Sequence, residues 1–510
     1  MRILLLVLAV MLLMPIQTVS AGEFKGGGGD LTPGTITYGD PPAQVDPAKP
    51  VLVFVQGLTN DSTTWYDGNS MYDTAREAGY ETVFVELHDS GGEPKSYWDN
   101  GAMLAGQLDD ISAHFNGKEI VVVGYSKGGV DTQVALIHEG RHSLVSDVIT
   151  IGSPHDGSEL ADLANSTSLG WLADLIGQNS EGTQSLQTGV MNHFRSITDS
   201  RPEVQENRYF TLAGDRTGPI FSSYWFGSGF ISGPSDGVVS VESATLPYGT
   251  MLGVGNWNHG EVHQGENAFP FIQHVLSGQA GAASLMEATA DDSLSTLVKG
   301  GKQEGGAEET IMIEEEADSV SFSWMSMEPL AELELEKPDG SVDVVKVAAE
   351  EDETPFFQGA YHHLVDLEQP SAGELTVRAA DNGSQAYGLV AQFESELNDQ
   401  LHVRAEENNR SFRAEADFPA VNRSGRGVIE MNADIRFTPG EPGAGRAFGQ
   451  AVSEYRQQAR GQAPDRIAVG GRGAGVYNAV VRVSGHAPSG TAFERSAVRS
   501  VFTDEDGQSY

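Results

Sequence analysis

The chain has 510 residues, 61 of them glycine and none cysteine, with 72 acidic against 31 basic side chains. That length is more than one hydrophobic core serves, so two or three domains are expected, and 39% apolar residues exclude a chain disordered throughout. A formal charge of −41 makes a nucleic-acid backbone a poor partner, and the missing cysteines exclude disulfides, zinc–thiolate sites and a thiol nucleophile.

In chain order, a short basic start (Met1–Arg2) precedes the apolar run Ile3–Ile16 and the small residues Val19-Ser20-Ala21. This pattern predicts a secretory signal peptide over 1–21, because the run is shorter than the roughly 20 residues a spanning helix needs. No later segment is apolar enough to cross a bilayer, so a secreted, extracellular product is expected. From about residue 50 to 280, the runs Val51–Val55, Val83–Leu87, Ile120–Gly124 and Val148–Ile151 are β-branched and apolar on both faces, as buried parallel strands are. Ser70–Ala78, Ala102–Phe115 and Gly129–His138 carry helix-spaced apolar residues between them. Alternation of this kind predicts an α/β domain over 22–280 with a doubly wound, mostly parallel sheet.

Past residue 280, Gly, Gln and Glu become frequent, and 281–310 reads as a linker. Beyond it the period falls to two. Val320, Phe322 and Trp324 alternate with serines, Leu333 and Leu335 with glutamates, and Tyr477, Ala479, Val481 and Val483 repeat the pattern. Antiparallel strands polar on one face are expected, in two Ig-like β-sandwich modules over 311–398 and 399–510. No catalytic constellation stands out there. The pair His362-His363 reads as surface, since a metal site needs three or four converging groups.

Gly124-Tyr125-Ser126-Lys127-Gly128 carries the chemistry. It follows an apolar strand and opens a helix, the context in which G-x-S-x-G forces the serine into a strained corner with its hydroxyl above the sheet edge. The same corner aims the Lys127 N–H where a tetrahedral oxyanion would form. Ser126 needs a base, and the base an acid, in the chain order Ser, Asp or Glu, His. His138 and His142 fall on or just after the following helix and read as surface residues. His155 comes too early, and His274 lies within the last helix. His193 also lies in this stretch, but His259 and His263 stand in the loop ahead of that helix, where the base should hang over the serine. For the acid, Asp215 and Asp236 each end or open a late apolar run, and spacing alone leaves both standing.

Ile151-Gly-Ser-Pro-His-Asp-Gly, Ser235-Asp236-Gly-Val-Val239, Trp257-Asn-His259 and Val53-Phe-Val-Gln-Gly-Leu58 resemble segments of secreted bacterial true lipases, which are α/β-hydrolases. The resemblance covers roughly 50–275. It implies Ser126 as nucleophile, Asp236 as acid and His259 as base, with the N–H groups of Leu58 and Lys127 as oxyanion donors. Gln56 stands where that family has His, and Tyr125-Ser126-Lys127 where it has His-Ser-Gln. The family also holds its His loop with calcium, which implies Asp215 and Glu261 as ligands here, although Gln264 falls at the wrong offset. No cofactor is otherwise required.

The expected activity is hydrolysis of carboxylic esters, acylglycerols first. Asp156–Gln178 is amphipathic, either a mobile cover over an apolar cleft or a cap packed permanently on the core. A short-chain esterase or a polyester (polyhydroxyalkanoate) depolymerase would use the same triad. A secreted binding or adhesion protein on an inactive scaffold is the reading of another class. The β modules are expected to hold the chain on an insoluble substrate or a cell surface, by analogy of fold alone.

Overall fold

The computed structural model describes residues 22–23, 29–218, 222–279, 294–302, 305–379, 386–406, 411–416, 429–440, 453–461, 466–468 and 470–510. The expected signal peptide therefore lies outside the described residues. Among those residues, no helix is long and apolar enough to cross a membrane.

The amino-terminal half is built on eight strands: β1 (Gly22–Glu23), β2 (Ile36–Tyr38), β3 (Val51–Val55), β4 (Glu81–Val85), β5 (Ile120–Tyr125), β6 (Val145–Ile151), β7 (Arg208–Gly214) and β8 (Gly249–Gly255). Their order is β1-β2-β4-β3-β5-β6-β7-β8, parallel from β4 to β8, with β2 antiparallel to β4. Strand side chains alternate between two cores. Leu52, Phe54, Val121 and Val123 pack with Met71, Phe269 and Ile272 on one face. Val51, Val53, Val55, Ile120 and Val122 pack with Leu104, Leu108 and Ile111 on the other. Covering both faces is why these strands lack polar positions. The expected helices are found at Met71–Glu77, at Tyr97–His114, which starts five residues before Ala102, and at Lys127–Gln133, which passes into a π-helical stretch at Val134–His138. This half is an α/β-hydrolase fold.

The linker expected over 281–310 is corrected in part. Thr296–Lys302 and Ala307–Ile313 are strands, because Leu297 and Ile311 enter the first sandwich core beside Val320, Phe322 and Trp324. That sandwich pairs a four-stranded with a five-stranded sheet, and a second pairs a three-stranded with a four-stranded sheet. The last two strands, Gly475–His486 and Ala492–Thr503, are not polar on their outer face throughout. Tyr477, Ala479 and Val481 point into their own core, whereas Val476, Val480, Val498 and Phe502 join Leu160, Leu163 and Phe194 of the hydrolase half. The two halves thus share one apolar core.

His362 and His363, expected at the surface, are buried. His362 Nε2 lies 2.7 Å from Asp352 Oδ2 and its Nδ1 lies 2.9 Å from Ser323 Oγ. His363 Nδ1 meets the Trp324 carbonyl at 2.9 Å, and its Nε2 accepts from Leu330 N–H at 2.7 Å. Full pairing of both ring nitrogens removes the penalty that would otherwise keep such side chains in water.

Candidate active site

β5 ends at Tyr125 and the next helix begins at Lys127, so one residue must reverse the chain. That residue, Ser126, has φ +51° and ψ −128°, a conformation costly for a side chain with a Cβ. The turn is tight enough that a Cβ on Gly128 would stand 2.4 Å from the Gln56 carbonyl oxygen, and one on Gly124 would stand 2.8 Å from the Gly129 nitrogen. The small residues of the motif are sterically required.

The structure brings Ser126, His259 and Asp236 together. Ser126 Oγ is 3.0 Å from His259 Nε2, and His259 Nδ1 is 2.7 Å from Asp236 Oδ2. A carboxylate only accepts, so Nδ1 carries the proton and Nε2 is the bare nitrogen facing the serine hydroxyl. The other Asp236 oxygen accepts from the N–H groups of Val238 and Val239 at 3.0 and 2.7 Å. The backbone adds two ties: His259 N–H donates to the Asp236 carbonyl at 2.9 Å, and the Tyr125 hydroxyl donates to the His259 carbonyl at 2.9 Å. Imidazole and carboxylate are therefore fixed before any substrate arrives.

His263 lines the same cavity but does not reach the serine. Its ring stacks on Tyr125 at 4.0 Å and its Nε2 lies 3.0 Å from Thr64 Oγ1. Burial, with His259 beside it, pushes its pKa down to about 3, so it is neutral wherever an imidazole base would work. His155 is buried away from the serine, between Thr150 and Gln133. His138, expected at the surface, is half-buried edge-on to Trp98 and lies 2.9 Å from Thr198 Oγ1.

Gln56 and Leu58 lead the β3 loop past the serine. With its amide oriented to satisfy both neighbours, Gln56 donates to the Val85 carbonyl and accepts from Leu87 N–H, each at 2.8 Å. Leu58 lines the cavity beside Ser126, and Lys127 is the first residue of the helix. Among the described residues, neither N–H donates to a backbone carbonyl.

The residues expected to hold calcium do not fit one. Glu261 takes the guanidinium of Arg216 and the N–H of Asn258, while the Asp215 side chain is exposed. Among the described residues, no three His, Asp or Glu side chains converge as a metal would require. The Arg216 guanidinium pairs with the Glu261 carboxylate instead.

The site is covered. Ser126, His259 and Asp236 are 4%, 2% and 1% exposed. The cavity above them, about 170 Å³, is lined by Tyr224 and by Glu353, Pro355 and Gln358 from the carboxy-terminal half. Asp352 shapes that segment by accepting from Thr354 N–H at 2.6 Å and Thr354 Oγ1 at 2.5 Å, and Glu353 N–H donates to Ser223 Oγ at 3.2 Å. The segment Asp156–Gln178 is packed down rather than open, with Leu160, Leu163, Leu169 and Leu172 fully buried. Sequence reasoning missed Tyr224, Glu353, Pro355 and Gln358, since nothing local marks residues so far along the chain from the nucleophile as its neighbours.

No family model matches the chain. The chain is similar, at 31% identity over 94% of its length and 99% of the other's, to the Bacillus licheniformis lipase BlEst2 in propeptide form, with a TM-score of 0.77. The mature form of the same lipase is 45% identical over 48% of this chain and 98% of that one, with a TM-score of 0.45. A Saccharomyces cerevisiae monoacylglycerol lipase is 25% identical over 175 residues, 32% of this chain. The chain thus spans about a third of the length of that curated relative, 36%.

Proposed function

The chain belongs to the α/β-hydrolase lipase family, and from that premise we propose that it hydrolyses carboxylic esters of lipids through an acyl-enzyme on Ser126. One observation carries the reading: a serine at φ +51° whose hydroxyl, imidazole and carboxylate neighbours are in line at 3.0 and 2.7 Å. His259 takes the Ser126 proton as the oxygen attacks the ester carbonyl, and Asp236 stabilises the resulting imidazolium. The oxyanion is met by the N–H groups of Leu58 and Lys127, each worth roughly 3–4 kcal/mol in a dry site. The imidazolium then protonates the leaving alcohol, and water releases the acid by the same path. The apolar run at 3–16 supports export of the enzyme.

The carboxy-terminal half is read as a propeptide that covers the site, in place of an anchor for insoluble substrate. The similar lipase is described as a propeptide form, and here Glu353, Pro355 and Gln358 lie across the cavity. The triad is tested by exposure of the chain to a small organophosphonate and by Ser126→Ala. Covalent labelling confined to Ser126, with turnover of a soluble acetyl ester lost in the variant, is expected. Turnover that survives Ser126→Ala would remove this serine from the chemistry.

A further inference from the structure

Behind the nucleophile lies a buried group of charges that the triad does not use. Lys127 follows Ser126 directly, and its ammonium, fully buried, sits 2.9 and 3.1 Å from the two Asp131 oxygens and 3.4 Å from Asp89 Oδ2. Asn100, also buried, donates to Asp131 Oδ2 at 2.9 Å and to Asp89 Oδ2, and accepts from His88 N–H at 3.3 Å. The remaining Asp89 oxygen accepts from the Thr59 N–H at 3.3 Å.

Thr59 adjoins Leu58 and is held at φ +59°, a left-handed conformation unfavourable for a β-branched residue. The two walls of the oxyanion hole therefore meet on one carboxylate. One wall, Leu58-Thr59, hangs on it through a backbone N–H. The other, Lys127, reaches it through its own side chain. Burying one cation with two carboxylates is expensive, and well-packed apolar residues of similar size would often be at least as stable. Burial raises the Asp131 pKa, against the pull of Lys127 and with the push of Asp89. Stability alone thus gives weak reason for such a group at this place.

We propose that Asp89 and the Lys127 ammonium are positioning residues, a buried ionic clamp that keeps the Leu58 and Lys127 N–H groups aimed at the same oxyanion. The clamp rests on the reading of Ser126 as nucleophile. It touches no substrate. What it supplies is preorganisation, which matters when charge develops on the ester oxygen and little before.

The test uses the full chain with a soluble acetyl ester and three variants: Asp89→Ala, Lys127→Met, and the charge-balanced pair Lys127→Met with Asp131→Leu, which removes one charge of each sign and leaves the net charge of the group unchanged. Each variant keeps the backbone N–H at position 127. The expected result is a kcat lowered about 10- to 100-fold with KM within about twofold, and phosphonate labelling of Ser126 slowed in the same proportion. Wild-type kcat in folded Asp89→Ala, or in the folded charge-balanced pair, overturns the clamp. So does a fall in melting temperature with kcat unchanged. If Ser126→Ala is itself active, the nucleophile reading has failed; if it is dead while the clamp variants are not, only the clamp has.

Discussion

Asp236 acts through both oxygens, and the second makes its replacement informative. Oδ1 is committed to the Val238 and Val239 N–H groups, so in Asp236→Asn the amide oxygen stays there and the NH2 turns toward His259. Facing a donor, Nδ1 must give up its proton and accept, which moves the proton to Nε2 and leaves Ser126 without a base. Loss of about 10⁴-fold in kcat is expected, with the melting temperature almost unchanged, in steady-state assays on a soluble ester. A variant within tenfold of wild type would mean the imidazole does not depend on this tautomer. His263 is no substitute base, because its ring is occupied by Tyr125 and Thr64 and held neutral by burial.

At the scale of elements, the strands that build the sheet were legible because burial on both faces leaves an uninterrupted apolar run. Val51–Val55 matches the expected span, while β6 begins three residues earlier than the run Val148–Ile151 because Val145 and Asp147 still pair with β5. The G-x-S-x-G corner was legible because a strand-to-helix turn without room for a Cβ can be made only from such residues. The choice of Asp236 over Asp215 was not decided by spacing, and only the resemblance separated them. The ionic clamp left no trace either, since Asp89, Asn100 and Asp131 stand on three elements and nothing local links one to another. The helix Glu159–Ala164 shows the same limit. Its Asp162 is buried against the second half, with its carboxylate on Thr188 at 3.0 and 2.6 Å and its carbonyl accepting from Asn478 at 2.7 Å.

Burial raises the Asp162 pKa from 3.8 to about 8, with Thr188 and Arg499 opposing and Glu159 adding to the rise. The unfolded chain therefore binds fewer protons at this group between those two values, and folding stability falls as pH rises through that window, levelling off above about 8. Asp162→Asn removes the titration and keeps the contacts with Thr188. Melting curves at pH 5 and pH 9 are expected to show wild type losing about 3 °C or more relative to the variant on going to the higher pH. Parallel shifts of the two proteins would show that Asp162 is ionised in the fold throughout.

Across the whole molecule, the question is what the carboxy-terminal half does to access. Phe356 and Phe357 are 1% and 2% exposed, and they sit in the apolar core that Leu160, Leu163, Tyr224 and Phe226 share with Val390, Val480 and Phe502. They stand between Pro355 and Gln358, two of the residues that line the cavity over Ser126. Truncating a buried phenylalanine costs about 3–5 kcal/mol, and here that cost falls on the docked state of the covering segment. Phe357→Ala is therefore expected to raise hydrolysis of emulsified triglyceride at least about tenfold relative to hydrolysis of a small soluble ester, whose access needs less opening. The sign discriminates between two roles for this half. A covering propeptide gives a gain on the emulsion when its grip is weakened. A module that holds the enzyme on insoluble substrate gives a loss on the emulsion, with the soluble ester untouched, because weakening its attachment separates the catalytic half from the surface it works on.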